Sequence, residues 1–219
     1  MQNIPVFTTG GGTAALILRE IPHRSIAYVR LATVVDLDAL LEDCAGFCRS
    51  CGAEQVFVSR GADPLPLPFA HDILLLHRDL SGLPSPRRPV DLLPIAPNND
   101  AIYQRIINVC FRDVSNAATY EPSDIRRIYR ERQKAFLALG PDGVPFGIGE
   151  LHGSELAAVG ILPEYRRQGL GRELVLALAG LCQGPTVELT AASDNDPALA
   201  LYGGLGFTVA KKLSAWYVL

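Results

Sequence analysis

The sequence predicts a mixed α/β fold of the α+β kind in two parts. A small β-β-β-α-β-β domain spans residues 1–80, and a larger domain with a mixed, mostly antiparallel central sheet flanked by helices spans residues 91–219. Two observations lead there. The stretch "SGLPSPRRPV", residues 81–90, sets three prolines beside two arginines and interrupts any helix or central strand, so it reads as a linker. The apolar patterns after it follow the order β-α-α-β-β-β-α-β-α-β-β.

In the N-terminal part, "AALILREI" and "SIAYVRLATV" read as a hairpin about Pro22-His23-Arg24. "TTGGGTAAL", residues 8–16, leads into a strand pattern and reads as a hairpin turn rather than a phosphate loop. A helix is expected over residues 37–51, capped by Asp36 and ended by Gly52. Its inward face would carry Leu37, Leu40, Leu41, Cys44, Cys48 and Cys51. "AEQVFVS" is then a strand, the Pro64, Pro66, Pro68 segment a loop, and "DILLLH" another strand.

After the linker, "VDLLPI" is a short strand, and residues 101–112 form a helix with Ile102, Ile106, Val109 and Cys110 inward. A second helix starts near residue 124, capped by Ser123, with Ile125, Ile128 and Tyr129 on its apolar side. "KAFLALG", "VPFGIGEL" and "SELAAVGIL" are strands, the first two joined by the turn Pro141-Asp142-Gly143. A helix over residues 169–182 precedes the strand "PTVELTA". Asp196-Pro197 opens a short helix ending near Gly206, and "FTVAKKL" and "AWYVL" are the last two strands.

Composition narrows the function. With 48% hydrophobic residues, the 219-residue chain can bury a sizeable core. A formal charge of −3 argues against a nucleic-acid partner, which normally meets a basic excess. No apolar run approaches the roughly 20 residues of a membrane span. The start "MQNIPVFTTGGGT" lacks the basic and apolar regions of a secretory signal, so a cytoplasmic protein is expected. Five cysteines, an odd count with three clustered, argue against a disulfide framework.

The chemistry concentrates in "LPEYRRQGLGREL", residues 162–174. Arg166-Arg167-Gln168-Gly169-Leu170-Gly171 lies between a strand and a helix start, where unpaired N–H groups and the positive end of the dipole meet. Glycines clear the approach of an anion to the backbone and arginines add charge, which makes a phosphate or pyrophosphate site. About thirty residues on comes "NDPALALYGGLGF", Asn195 to Phe207. P-E-Y-R-x-x-G-x-G followed at this distance by N-x-x-A-x-x-L-Y-x-x-x-G-F resembles the acetyl-CoA-binding core of the GNAT N-acetyltransferase superfamily. The resemblance covers roughly residues 90–219.

The resemblance implies roles. Amides from about Arg167 through Gln168, Gly169, Leu170 and Gly171 would cradle the CoA pyrophosphate, with Arg166 adding charge beside them, and the strand edge at Val159, Gly160 and Ile161 would pair with the pantetheine amides. Asn195 would contact the cofactor arm, and Tyr202 would sit by the thioester sulfur and protonate the leaving thiolate. Glu155 stands where some members carry a glutamate base, and strand alternation puts it on the face of Ala157, Val159 and Ile161; Glu150 and His152 are rivals. The expected activity is transfer of acetyl, or another acyl group, from acetyl-CoA to a small-molecule or peptide amine without a metal. An acyl-CoA-binding regulatory protein without catalysis is the alternative. A monomer or homodimer with no nucleic-acid or membrane partner is expected.

Other patterns lead elsewhere. Cys44-x-x-x-Cys48-x-x-Cys51 matches the spacing of radical S-adenosylmethionine enzymes, but it falls at helical spacing beside Leu37, Leu40 and Leu41 and reads as core. Gly169-x-Gly171 lacks the third glycine of a dinucleotide fingerprint, where Leu174 stands. Arg126, Arg127, Arg130 and Arg132 surround an apolar stripe and read as a solvated face, with an acidic acceptor or partner as the alternative. The N-terminal domain is similar to the second half of the same fold, but "ATVVDLDAL" replaces the phosphate loop, and Asp36 and Asp38 would repel a pyrophosphate. It is expected to be a degenerate module that binds no CoA.

Overall fold

Apolar strand faces and helix stripes are buried against one another in the computed structural model, which describes residues 5–219. The first four residues of the stretch "MQNIPVFTTGGGT" lie outside the described residues. The chain divides into two compact units. One holds the residues up to Leu74 with Ala192–Asp194 and Lys211–Leu219; the other holds Leu75–Ala191 and Asn195–Ala210. These divisions fall at different points from the expected domain limits at 80 and 90, and Lys211–Leu219 group with the first unit rather than the second.

In the first unit, strands β1 (Val6–Thr9), β2 (Gly12–Ile17) and β3 (Ile26–Val34) pair antiparallel, with a helical turn α1 (Ile21–Arg24) in place of the expected hairpin loop. Strand β3 then pairs parallel with β4 (Gln55–Ser59). Between them, helix α2 (Leu37–Ser50) begins at Asp36, whose Oδ1 accepts the Ala39 N–H at 3.1 Å. Leu40, Leu41, Cys44 and Cys48 are buried in this core. Cys51 departs from the expected face: the helix stops at Ser50, so Cys51 is the C-cap and is exposed. The expected pair of C-terminal strands is a single strand, β11 (Thr208–Val218). Its end lies antiparallel to β4 with Tyr217 opposite Val58, which ties the C-terminus to this unit.

The second unit runs β6 (Asp91–Pro94), α3 (Asp100–Phe111), α4 (Pro122–Arg130), β7 (Lys134–Leu139), β8 (Pro145–His152), β9 (Glu155–Ile161), α5 (Leu170–Ala179), β10 (Thr186–Ala192) and α6 (Asp196–Gly204). Strands β6 to β9 pair antiparallel in sequence order, and β9 pairs parallel with β10. Strand β5 (Phe69–Asp79) follows β10 in the sheet order. Helix α3 is turned from the expected orientation. Tyr103, Ile106, Ile107 and Cys110 form its buried stripe, whereas Ile102 and Val109 are exposed, because the inward position is taken by the Tyr103 ring and its hydroxyl partner. Helix α4 is capped by Glu121 rather than Ser123. Pro122 takes the first helical position, where its missing N–H costs nothing, and Asp124 Oδ2 accepts the Glu121 N–H at 2.9 Å. Ile125 and Ile128 are buried, but Tyr129 stays exposed and reaches Asp100. Among the described residues no helix is long and apolar enough to cross a membrane.

Burial, with Asp43 adding to it for Cys44 and Cys44 for Cys48, pushes both thiols up to about 11; burial pushes Cys110 up to about 12. A thiol pKa raised above its unfolded value near 9 gives stability that is fully present below about pH 9 and is lost as pH rises through about 11. Alkylation of the folded protein at about pH 8 is therefore expected to label Cys51 and spare Cys44, Cys48 and Cys110 until denaturant is added, as read by peptide mass spectrometry. Equal labelling of Cys48 and Cys51 in the folded state would contradict the core placement of α2.

Candidate active site

Strand β9 has one closed edge and one open edge. Its parallel pairing with β10 covers only Glu155 with Glu188 and Leu156 with Leu189, while β8 pairs along its full length on the other side. The Leu162 N–H donates to Phe146 O at 3.0 Å, and bonded pairs alternate in an antiparallel ladder. Ala158 and Gly160 therefore turn their backbone polar groups toward β8, and Val159 and Ile161 turn theirs to the open side. Gly160 serves differently: a Cβ there would lie 2.8 Å from Cys110 Cβ, so glycine lets α3 approach the sheet.

A bulge resets the faces of β9. Glu150 pairs with Ala158 and Leu151 with Leu156, which leaves Ala157 as an extra residue. Strict alternation would place Glu155 with Val159 and Ile161. The bulge instead sets it opposite His152, on the face that carries Glu150.

The turn before α5 presents backbone donors. Arg167 has φ 63° and Gly169 φ 81°, both left-handed, and Gly169 is the N-cap with no side-chain cap. Among the described residues, no backbone acceptor is bonded to the amides of residues 167–171. A Cβ on Gly169 would meet nothing, so the space over these amides is open, whereas one on Gly171 would sit 3.3 Å from Leu201. These features fit a pyrophosphate group. Arg166 is not aimed there. Its guanidinium donates to Ile161 O at 3.1 Å and Cys110 O at 3.4 Å, fastening the turn to β9 and α3. Gln168 likewise bonds inward, to Glu164 O. Arg167 is exposed.

Helix α6 holds the second motif. Asn195 Oδ1 accepts the Ala198 N–H at 3.3 Å, so this residue caps the helix. Tyr202 is 8% exposed and its ring meets Phe207 at 5.7 Å. Burial pushes its phenol up to about 12, so it keeps its proton at neutral pH.

Three further residues converge on Glu150, which is 1% exposed. Tyr103 and Tyr120 hydroxyls each donate to Oε2 at 2.9 Å, and His152 Nε2 lies 2.8 Å from Oε1. Burial first, and then the Glu150 carboxylate, push both phenols upward. Neither tyrosine is among the residues expected from sequence. Tyr103 was detectable in principle, since it completes the i, i+3, i+4, i+7 stripe with Ile106, Ile107 and Cys110; Tyr120 lies in irregular chain with no periodic signal. Among the described residues, no group of histidine, cysteine and acidic side chains is placed to hold a metal.

The corresponding turn in the first unit is closed from within. Gly11 O accepts the amides of Val35 and Asp36 at 2.9 and 3.0 Å. A Cβ on Gly11 would lie 2.5 Å from Leu40 N, so the Gly11 backbone rests on the start of α2.

An open strand edge thus lies beside an uncapped, glycine-opened helix start. Residues 103–207 match the model of the Acetyltransferase (GNAT) family. The N-alpha-acetyltransferase RimI of Mycobacterium tuberculosis is 42% identical over 53 residues, 24% of this chain and 34% of that protein. The mycothiol acetyltransferase of Corynebacterium efficiens is 40% identical over 90 residues, 38% of this chain and 30% of that protein. The matches thus span about a third of the length of these curated relatives. A GCN5-related N-acetyltransferase from Sphaerobacter thermophilus shares the fold, with TM-score 0.64 at 16% identity over 95% of this chain and 76% of that one.

The first turn of α5 is also anchored from the 81–90 segment. Glu173 accepts the Arg87 and Arg88 amides at 2.6 and 3.3 Å and the Arg172 guanidinium at 3.2 Å. Burial opposes its charge, but these donors outweigh burial and hold its carboxyl below the usual range. That stability is present above the ordinary carboxylate pKa and lost as pH falls through the lowered one. Glu173→Gln is expected to lower the melting temperature by a few degrees, about 1 kcal/mol, and to speed tryptic cleavage after Arg87. Unchanged proteolysis would show that Glu173 does not hold this segment.

Proposed function

We propose that the protein transfers an acetyl group from acetyl-CoA to a primary amine by direct attack. The observation that carries this reading is the juxtaposition of the free amides of residues 167–171 with the open edge of β9. Amides of the turn, from Arg167 through Gly171, would hold the pyrophosphate, and Val159 and Ile161 would pair with the pantetheine arm. An N–H on that edge also suits a developing oxyanion. Arg166 holds the turn in place, and Asn195 sets the start of α6 beside the cofactor arm. A primary amine as acceptor agrees with a relative named as an N-alpha-acetyltransferase. Glu150, His152 and Glu155 share one face of the sheet and supply the basic side of the site. The first unit would be a degenerate module, since its own Gly11 carbonyl takes the amides an anion would need.

The reaction sets the proton requirements. The ammonium form of the acceptor loses one proton, its lone pair attacks the thioester carbon, and a C–N bond replaces the C–S bond. The nitrogen sheds a second proton as the amide forms, and the thiolate takes one from Tyr202, which regains it through solvent.

Gly169→Glu sets a carboxylate over the free amides and is expected to weaken acetyl-CoA binding at least about tenfold, 1.4 kcal/mol, in calorimetry. Gly169→Asn tolerates the left-handed backbone without charge and should lose much less. Equal affinity of the folded Gly169→Glu protein and the parent would remove the turn from the binding site.

Tyr202→Phe keeps the ring and deletes the donor. Turnover is expected to fall roughly 10²–10⁴-fold, or somewhat less if water substitutes, with acetyl-CoA affinity nearly unchanged. An unchanged rate with chemistry limiting would take Tyr202 out of the mechanism; joint loss of binding would make it structural.

A further inference from the structure

We infer that His152 is the general base of this acetyl transfer and that Glu150 is the residue that positions it, an assignment that rests on the acetyltransferase reading. The acids and bases on the shared face differ in what they can do. Glu150 is buried and both its oxygens are engaged: Tyr103 and Tyr120 donate to Oε2, and His152 lies against Oε1. Such a carboxylate has no free face for an acceptor amine. Its capacity goes into fixing its neighbours.

A carboxylate only accepts, so His152 Nε2 carries the hydrogen in the 2.8 Å contact and Nδ1 presents a lone pair. The His152 side chain is 34% exposed, and Nδ1 has no partner among the described residues. Tyr103 comes from the buried face of α3, Tyr120 from the segment between α3 and α4 and Glu150 from β8, so three separate pieces of chain fix the carboxylate that holds the imidazole in one tautomer. A buried glutamate with three donors is a costly feature to place under a merely solvated histidine.

The surroundings of His152 are defined on every side. Glu155 lies opposite it on β9, and Glu188 of β10 is in register with Glu155. Arg127 and Asp124 of α4 act on Tyr120. Lys134 of β7 pairs with Leu151, the residue whose side chain takes the other face. In the reaction, the acceptor ammonium gives one proton to His152 Nδ1, directly or through one water, and the imidazolium returns it to solvent after the amide forms.

The test measures transfer from acetyl-CoA across a panel of amino acids, polyamines, aminoglycosides and peptide N-termini, with acetyl-CoA affinity followed by calorimetry. In His152→Gln, kcat is expected to fall roughly 10²–10⁴-fold at unchanged acetyl-CoA affinity, and the acid limb of kcat/KM is expected to disappear. Glu150→Gln should displace that limb and cost at least about tenfold, whereas Tyr120→Phe, which removes one donor, should cost less. Added imidazole should restore part of the rate of His152→Ala, which guards against loss of folding as the cause. A wild-type protein that binds acetyl-CoA yet acetylates no amine overturns the acetyltransferase reading and this assignment with it. Active His152→Gln with an unmoved acid limb overturns the assignment alone and returns the role to Glu155.

Discussion

The parting of β9 from β10 is the constraint on which the candidate site depends. The two strands share only two registered positions, and Ala157 bulges out immediately after them. A bulge bends its strand and strengthens the local twist, so the paired end and the open end of β9 point differently. The bend carries the rest of the site with it. Val159 and Ile161 keep backbone groups on the open side, and Ile161 O is then free to be taken by Arg166, which fixes the turn that opens α5.

The same bend sets which side chains share a face. By returning Glu155 to the side of His152 and Glu150, it gathers the acid–base groups on the α3 side of the sheet, with α5 and its amides on the other. Gly160 and Gly149 complete the arrangement from below and above: α3 approaches within contact of Gly160 through Cys110, and α5 covers Gly149 through Leu178. Side chains at either position would push a helix away from the sheet and so move the groups it carries.

Much of this is legible in the sequence where a local rule decides the outcome. Asp36 caps α2 because a short acceptor before an apolar stripe leaves few alternatives, and the cysteines at 44 and 48 follow the leucines into the core. The glycine turn of residues 166–171 is readable because left-handed backbone and an uncapped helix start both leave marks in residue choice. Features that depend on a partner far along the chain are not legible. Nothing local in "ELAAVGI" announces a bulge at Ala157, so simple alternation puts Glu155 on the wrong side. Arg166 has the residue type of a phosphate ligand, but its acceptors, Ile161 O and Cys110 O, become neighbours only on folding. Ser123 is the better cap by residue type, yet Pro122 decides the register of α4. The pattern of β11 breaks at Ser214, whose hydroxyl instead accepts from Trp216 Nε1 within a continuous strand.

Amide hydrogen exchange of the full chain, with and without saturating acetyl-CoA, tests the central claim most directly. Protection on binding should concentrate at the amides of residues 167–171 and at Val159 and Ile161, and should leave Val35 and Asp36 unchanged, since Gly11 O already holds them. New protection around residues 33–38 with none over 167–171 would contradict the account, because the donor would then be held by the wrong unit.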